Sequence, residues 1–177
     1  MNSKIPKILE RLLEYCFKLR LYLVPFKPFW DKCEEMPERM RLVLWRAYLF
    51  NIADRIAKER GYLGIVTGDN LGQVASQTLE NMYAISRFVE TPVYRPLISY
   101  DKEESVNLAK KIGTYELSIQ EYSDSCSLLG KYHPETRAKL DDVLKLWKEY
   151  DLESIVKESL NSLEEYFFEI GKDVRKI

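Results

Sequence analysis

The sequence predicts an α/β layer protein built on a parallel sheet, and three observations carry the prediction. Short apolar runs of strand length fall at residues 21–26, 62–66 and 92–98, each has a long stretch of helical spacing beside it, and residues 64–81 read as strand, tight turn and helix. Strand and helix units in such succession are joined by right-handed crossovers that leave the strands side by side and parallel. Of the 177 residues 46% are hydrophobic, enough for one ordinary core and most simply one domain.

Taken in order, residues 4–21 carry Ile5, Ile8, Leu9, Leu12, Leu13, Cys16, Phe17 and Leu19 at helical spacing, which predicts an amphipathic helix with Cys16 on its buried side. Residues 21–26 follow as a strand, closed by Pro25 and Pro28, which cannot extend a central ladder. Residues 29–37 read as an aromatic loop holding an accessible Cys33. Residues 39–60 form a second long helix on the stripe Leu42, Trp45, Leu49, Ile52, Ala53 and Ile56, stopped by Gly61. Arg46 lies on this helix, as a surface arginine or as a phosphate contact.

The next segment organises the rest. After the strand at 62–66, Gly68 stands where the backbone must turn without a Cβ in the way, and Asn70 is placed as N-cap with Gln73 at the capping-box distance. The predicted helix packs Leu71, Val74, Ala75, Thr78, Leu79, Met82 and Ile85 onto a sheet. Its other face, Gln73, Ser76, Gln77 and Glu80, is mostly uncharged and polar, where a solvated face would carry Lys and Glu. Either these amides meet a subunit contact or they line a site. Ligands of open α/β sheets sit beyond the carboxyl ends of the strands, where Thr67, Gly68, Asp69 and Asn70 fall.

Residues 92–98 give a third strand containing Arg95, and Asp101 caps a helix over 102–112 with Glu104 as the acidic partner of its capping box. Lys102 then falls at the positive end of that helix dipole, ill placed for its own helix but well placed to share an anion with the backbone N–H groups. Residues 115–127 read as a loop leading to Cys126, and from Pro134 the pattern is helical almost to the end with a bend at Asp151.

Net charge −1 excludes a broadly basic nucleic-acid surface, so any RNA contact rests on local patches or on another chain. No apolar run approaches the length of a membrane span and residues 1–4 carry no signal-peptide pattern, so a cytoplasmic protein without membrane partners is expected. Cys16, Cys33 and Cys126 are too few and scattered for a disulfide framework or zinc site, and the lone His133 assembles neither a metal centre nor a catalytic triad.

The run Thr67-Gly68-Asp69-Asn70-Leu71-Gly72-Gln73-Val74-Ala75-Ser76-Gln77-Thr78-Leu79-Glu80-Asn81 resembles the Thr-Gly-Glu-Ser-Leu-Gly-Gln-Val-Ala-Ser-Gln-Thr motif of the ThiI family, tRNA 4-thiouridine synthetases also linked to thiamine biosynthesis. The resemblance continues through residues 95–104 and 112–116 and covers roughly 20–137, the later part of that family's PP-loop adenylation domain. It implies a three-layer parallel sheet of the PP-loop ATPase (adenine nucleotide alpha hydrolase-like) type, truncated at its N-terminus, with residues 1–137 as a partial adenylation domain and 138–177 as a helical C-terminal extension. It implies ATP, as Mg-ATP, for adenylating a uridine carbonyl oxygen of tRNA, and a persulfide sulfur that displaces AMP and leaves a disulfide. Residue by residue, Thr67, Gly68, Asp69, Asn70, Gln73 and Gln77 would line the nucleotide, Arg46 and Arg95 would contact phosphate or RNA, Lys102 would stabilise phosphate or leaving-group charge, and Cys126 would carry or receive sulfur.

Two departures stand against that family pattern. None of the seven glycines is adjacent to another, so the Ser-Gly-Gly-x-Asp-Ser phosphate loop is absent, and so are the family's THUMP and ferredoxin-like RNA-binding domains. Ser123 and Ser125 occupy places where family members often carry a second cysteine. The expectation is a tRNA sulfurtransferase portion that does not turn over alone and needs a chain supplying the phosphate loop and RNA-binding domains. The alternatives are a degenerate paralogue acting as a binding or regulatory module, and a stand-alone ATP pyrophosphatase relative. An uncovered sheet edge is expected to be shielded by dimerisation or by the C-terminal helices.

Overall fold

The structure, a computed structural model, describes residues 4–121, 129 and 133–177. In chain order the described elements are α1 (Lys4–Cys16), β1 (Lys18–Leu23), α2 (Lys27–Cys33), α3 (Arg41–Arg60), β2 (Ile65–Val66), α4 (Leu79–Ile85), β3 (Val93–Tyr94), α5 (Lys102–Lys111), α6 (Tyr115–Ser118), α7 (Leu140–Glu149), α8 (Leu152–Asn161), β4 (Glu164–Glu169) and β5 (Arg175–Lys176). They fall into two units, one of Met1–Pro25, Asp101–Ser123 and Ser162–Ile177, the other of Phe26–Tyr100 and Asp124–Asn161.

In the second unit α3 buries residues all round its axis, including Leu42, Val43, Leu44, Trp45, Ala47, Tyr48, Phe50, Ile52 and Ala57, as a helix enclosed by its own unit must. It packs against α4, α7 and α8, and the Tyr48 hydroxyl donates to Ser159 Oγ at 2.6 Å inside that core. Gly61 ends α3 at φ 71°, with its own N–H on Lys58 O and the Tyr62 N–H on Ala57 O, the paired bonds of a Schellman stop. Gly61→Ala is expected to cost about 1 kcal/mol, because nothing crowds the position and only the left-handed backbone penalises a Cβ; a urea denaturation midpoint measures it.

Asp54 of α3 is 5% exposed, accepts the N–H groups of Glu90 and Thr91 at 3.1 and 2.8 Å, and pairs with Lys58 at 2.8 Å. It thereby fixes the segment entering β3 to the helix. Burial opposes its charge, but the Lys58 ammonium and the Thr91 and Glu90 amides outweigh burial and hold its carboxyl below the usual carboxylate range. A depressed folded pKa gives stability that is fully present above the unfolded value of about 3.9 and lost as pH falls through the lower folded value. The stability gap between the natural chain and Asp54→Asn is therefore expected to shrink between pH 6 and pH 3 in paired denaturation curves.

β2 and β3 form a two-stranded parallel sheet, Ile65 beside Val93 and Val66 beside Tyr94. In the first unit β1 pairs antiparallel with β4 from Lys18↔Glu169 to Leu23↔Glu164, β5 adds to the other side of β4, and α1 packs on β1, β4 and α6. The α/β class read from the sequence stands, with parallel pairing between the second and third predicted strands.

Several local readings are corrected. The helix placed from Asn70 starts instead at Leu79, where the Thr78 hydroxyl accepts the Asn81 N–H; residues 75–77 form a single 3-10 turn, and Gly72 takes φ 77°. Leu71, Val74 and Leu79, read as packing residues, are 44, 55 and 69% exposed. Gly68 has open space around its Cβ position and no left-handed backbone, so no steric need for glycine exists there. Residues 27–33 are helical because Pro28, at the start of α2, presets the first turn, and Cys33 is buried rather than accessible. Cys16 faces outward, its thiol donating to Leu12 O at 3.1 Å. The C-terminal extension is helical only to Asn161: Asp151 makes the expected bend at φ 47°, and beyond α8 the chain returns as the β4–β5 hairpin. Cys126, Ser123 and Ser125 lie outside the described residues.

Candidate functional site

The site grows from the end of β2. Thr67 extends the ladder through its N–H on Tyr94 O at 3.0 Å, and the chain then turns inward so that Asp69 is 2% exposed. A buried carboxylate needs charge and donors around it. Both come from other elements: Arg46 of α3 donates through Nη2 to Oδ1, Arg95 after β3 donates through Nε to Oδ2 at 3.3 Å, and Thr67 Oγ1 donates to Oδ2 at 2.8 Å. The two guanidinium groups also lie against the Phe50 ring, at 5.3 and 5.8 Å from its centre, and Arg95 Nη2 reaches Ser86 Oγ at 3.0 Å. Four of the residues named from the sequence are thus brought together: Arg46, Thr67, Asp69 and Arg95.

Electrostatically the cluster is two cations on one anion, with one positive charge in excess. The arginine side chains keep 18 and 19% of their surface, so they are accessible at an edge while the carboxylate is not. The Arg46 Nε–H is buried and has no hydrogen-bond partner among the described residues. Chemically, such an arrangement can take up an anion, with Asp69 as the group that fixes the two forks.

The following loop is fastened from the same side. The Asn70 amide donates to Tyr100 O, Leu71 N–H to Ile98 O at 3.1 Å, and Gly72 N–H to Gln77 O at 2.9 Å. Asn70 therefore holds a turn instead of capping a helix. Gly68 and Gln73 are exposed and Gln77 is half-buried on this loop. Lys102 belongs to the first unit, exposed in the first turn of α5, where the predicted capping box is present: Asp101 Oδ1 accepts the Glu104 N–H and Glu104 Oε2 accepts the Asp101 N–H, both at 2.8 Å. Among the described residues no group of His, Cys, Asp and Glu could hold a metal ion.

Three participants escaped sequence reading. Phe50 is the ring on which both arginines rest, and its position four residues after Arg46 on α3 was the available signal. Ser86 gave no signal. Asn81, fully buried, donates to Ala75 O at 2.7 Å and Glu135 O at 2.6 Å and accepts the Ala138 N–H at 2.9 Å, so it sets the far end of the loop.

The family profile described as "Thiamine biosynthesis protein (ThiI)" matches residues 1–152. The chain belongs to the ThiI family. It is 47% identical over 145 residues to a "Probable tRNA sulfurtransferase" of Thermus thermophilus, covering 81% of this chain and 36% of that relative. A protein of the same description from Caldanaerobacter subterraneus subsp. tengcongensis is 38% identical over 159 residues, 88% of this chain and 41% of its own. A solved structure, described as a 4-thiouridine synthetase–RNA complex with bound ATP, superposes with a TM-score of 0.87 at 38% identity and covers 94% of this chain and 44% of its own. The fold is therefore that of a ThiI protein over most of these residues, and the chain spans about two-fifths of the length of the ThiI relatives it matches. Among the described residues no helix is long and apolar enough to cross a membrane.

Proposed function

We propose that this ThiI-family chain forms one wall of the Mg-ATP site of a cytoplasmic tRNA sulfurtransferase, with the phosphate loop, the RNA-binding domains and the persulfide donor supplied from outside these 177 residues. The observation that carries the reading is the Arg46–Asp69–Arg95 cluster at the carboxyl end of β2, the end of an open α/β sheet where ligands bind. Its excess positive charge and the buried, unpartnered Arg46 Nε–H fit a nucleotide phosphate, because the donor is already removed from water.

Bound ATP supplies the adenylyl group that makes a uridine carbonyl oxygen a leaving group. This chain's residues do the holding. Arg46 and Arg95 grip phosphate oxygens, and Asp69 keeps the two guanidinium groups aimed. Thr67, Gly68, Asn70, Gln73 and Gln77 line the nucleotide; for Lys102, which belongs to the other unit, the family resemblance implies a role in offsetting phosphate or leaving-group charge. Cys126 carries or receives the sulfur.

The test combines the chain with a polypeptide carrying the Ser-Gly-Gly-x-Asp-Ser loop and RNA-binding domains, tRNA, Mg-ATP and a persulfide donor, and quantifies thiolated uridine. Product is expected with the natural chain and a fall to background with Cys126→Ser; full activity of the serine variant removes the role given to Cys126. Ser123 and Ser125, in place of a second cysteine, favour one other reading, a binding or regulatory module with the same fold. Binding of ATP and tRNA without thiolation would select it.

A further inference from the structure

We infer that Phe50 is a positioning residue of the anion site: its ring fixes the plane of the Arg46 guanidinium without using up a donor that a phosphate oxygen needs. The inference rests on the nucleotide reading proposed above. Phe50 lies one turn beyond Arg46 on α3 and is 5% exposed, so helix geometry by itself brings the two side chains together. The guanidinium carbons of Arg46 and Arg95 stand over its ring at 5.3 and 5.8 Å from the centre.

The two arginines are not held alike. Arg95 has hydrogen-bond anchors at two nitrogens, Nε on Asp69 Oδ2 at 3.3 Å and Nη2 on Ser86 Oγ at 3.0 Å. Anchors at two separate atoms fix a planar group. Among the described residues Arg46 has one, Nη2 on Asp69 Oδ1, while its Nε–H is buried with no acceptor. A fork on a single hydrogen bond can swing about that bond. The second constraint on Arg46 is the Phe50 ring, in the place that Ser86 takes for Arg95.

The kind of constraint matters. A second carboxylate beside Arg46 would fix it as firmly, but it would pair the remaining donors and cancel the excess positive charge on which anion uptake depends. An aromatic ring attracts the cation through the negative face of its quadrupole and leaves the N–H groups open. Leucine or methionine fills much of the same space in the core and offers no such face. The role of the ring is therefore separable by experiment from that of apolar bulk.

The test has two arms. In the isolated chain, hydrogen exchange of the Arg46 Nε–H is followed by NMR, its signal assigned by its loss in Arg46→Met. Exchange is expected to be slow in the natural chain and in Phe50→Tyr, and roughly tenfold faster or more in Phe50→Leu and Phe50→Met, with the Arg95 Nε–H and the α3 backbone amides accelerated by a smaller factor. Equal acceleration of the backbone amides is the signature of a loosened core and overturns the inference, as does unchanged exchange in a folded variant. If neither variant folds, the natural chain decides: an Arg46 Nε–H that exchanges as fast as that of an exposed arginine overturns the inference. In the second arm, Mg-ATP binding to the complex with the phosphate-loop polypeptide is expected to weaken about three- to thirtyfold in Phe50→Leu, to recover in Phe50→Tyr, and to fall by less than about twofold more when Phe50→Leu is added to Arg46→Met. Weakening by Arg46→Met but not by Phe50→Leu overturns the inference and leaves the proposed function standing. Binding that neither substitution changes overturns the proposed function instead, and the exchange of the Arg46 Nε–H still decides what the ring does.

Discussion

Asp69→Ala is expected to lower the unfolding free energy by about 3–5 kcal/mol, the largest effect of any single substitution at the site. The carboxylate is 2% exposed and is the shared acceptor for Arg46, Arg95 and Thr67. Removing it leaves two guanidinium groups side by side against Phe50 with no counter-charge, which is the costly half of breaking a buried ion pair. Arg46→Met alone is expected to cost less, because Asp69 keeps Arg95 and Thr67. The losses in Asp69→Ala and Arg46→Met should add to more than the double variant shows, since the double variant strands one arginine, Arg95, instead of two. Urea denaturation of the four proteins measures this; simple additivity would mean that the ion pair contributes nothing to folding.

The second large effect is at Asn81. Its side chain donates to two carbonyl oxygens, Ala75 O and Glu135 O, and accepts one amide, Ala138 N, with no exposed surface. Asn81→Ala leaves the buried Ala138 N–H and the part-buried Ala75 and Glu135 carbonyl oxygens without this partner, at about 1 kcal/mol each. A total loss of about 3 kcal/mol is expected, and Asn81→Asp should lose a comparable amount, because a carboxylate can accept from Ala138 but repels the two carbonyl oxygens. A loss under about 1 kcal/mol would mean that water takes over these groups. Because Asn81 ties residues 75–78 to residues 135–138, partial proteolysis of the folded variant should begin in one of those two stretches.

The parts of the fold that were legible in the sequence are those governed by local rules. α3 was readable because its apolar residues recur through five turns and Gly61 supplies the left-handed stop. The capping box of Asp101 and Glu104 was readable because it is a fixed three-residue spacing. Residues 70–78 were not, because Leu71, Val74 and Leu79 imitate a helical stripe while Gly72 and the Thr78 cap break it, and the hydrogen bonds to residues 98–100 that hold the loop are non-local. The terminal strand was hidden by continuity with two preceding helices, although the run Glu164-Glu165-Tyr166-Phe167-Phe168-Glu169 before Gly171 carries the aromatic content of a strand and its turn.

At the site the sequence pointed to Arg46, Asp69 and Arg95 separately. What it did not contain was their mutual assignment, in which the acid serves the two bases. That arrangement depends on the crossing of α3 with the end of β2 and on Phe50 beneath both guanidinium groups, which only tertiary packing sets. The same packing leaves Val66 and Tyr94 outside, a feature that two-residue strands do not announce in sequence.

The claim on which the account turns is that the arginines held by Asp69 grip the nucleotide. It is tested most directly by equilibrium binding of labelled Mg-ATP to the complex of this chain with its phosphate-loop partner, comparing the natural chain with Arg46→Met. The account predicts saturable binding that weakens about 10- to 100-fold in the variant, the range for one charge-assisted phosphate contact, while the folded fraction at the assay temperature is unchanged. Equal affinity in both complexes would contradict it.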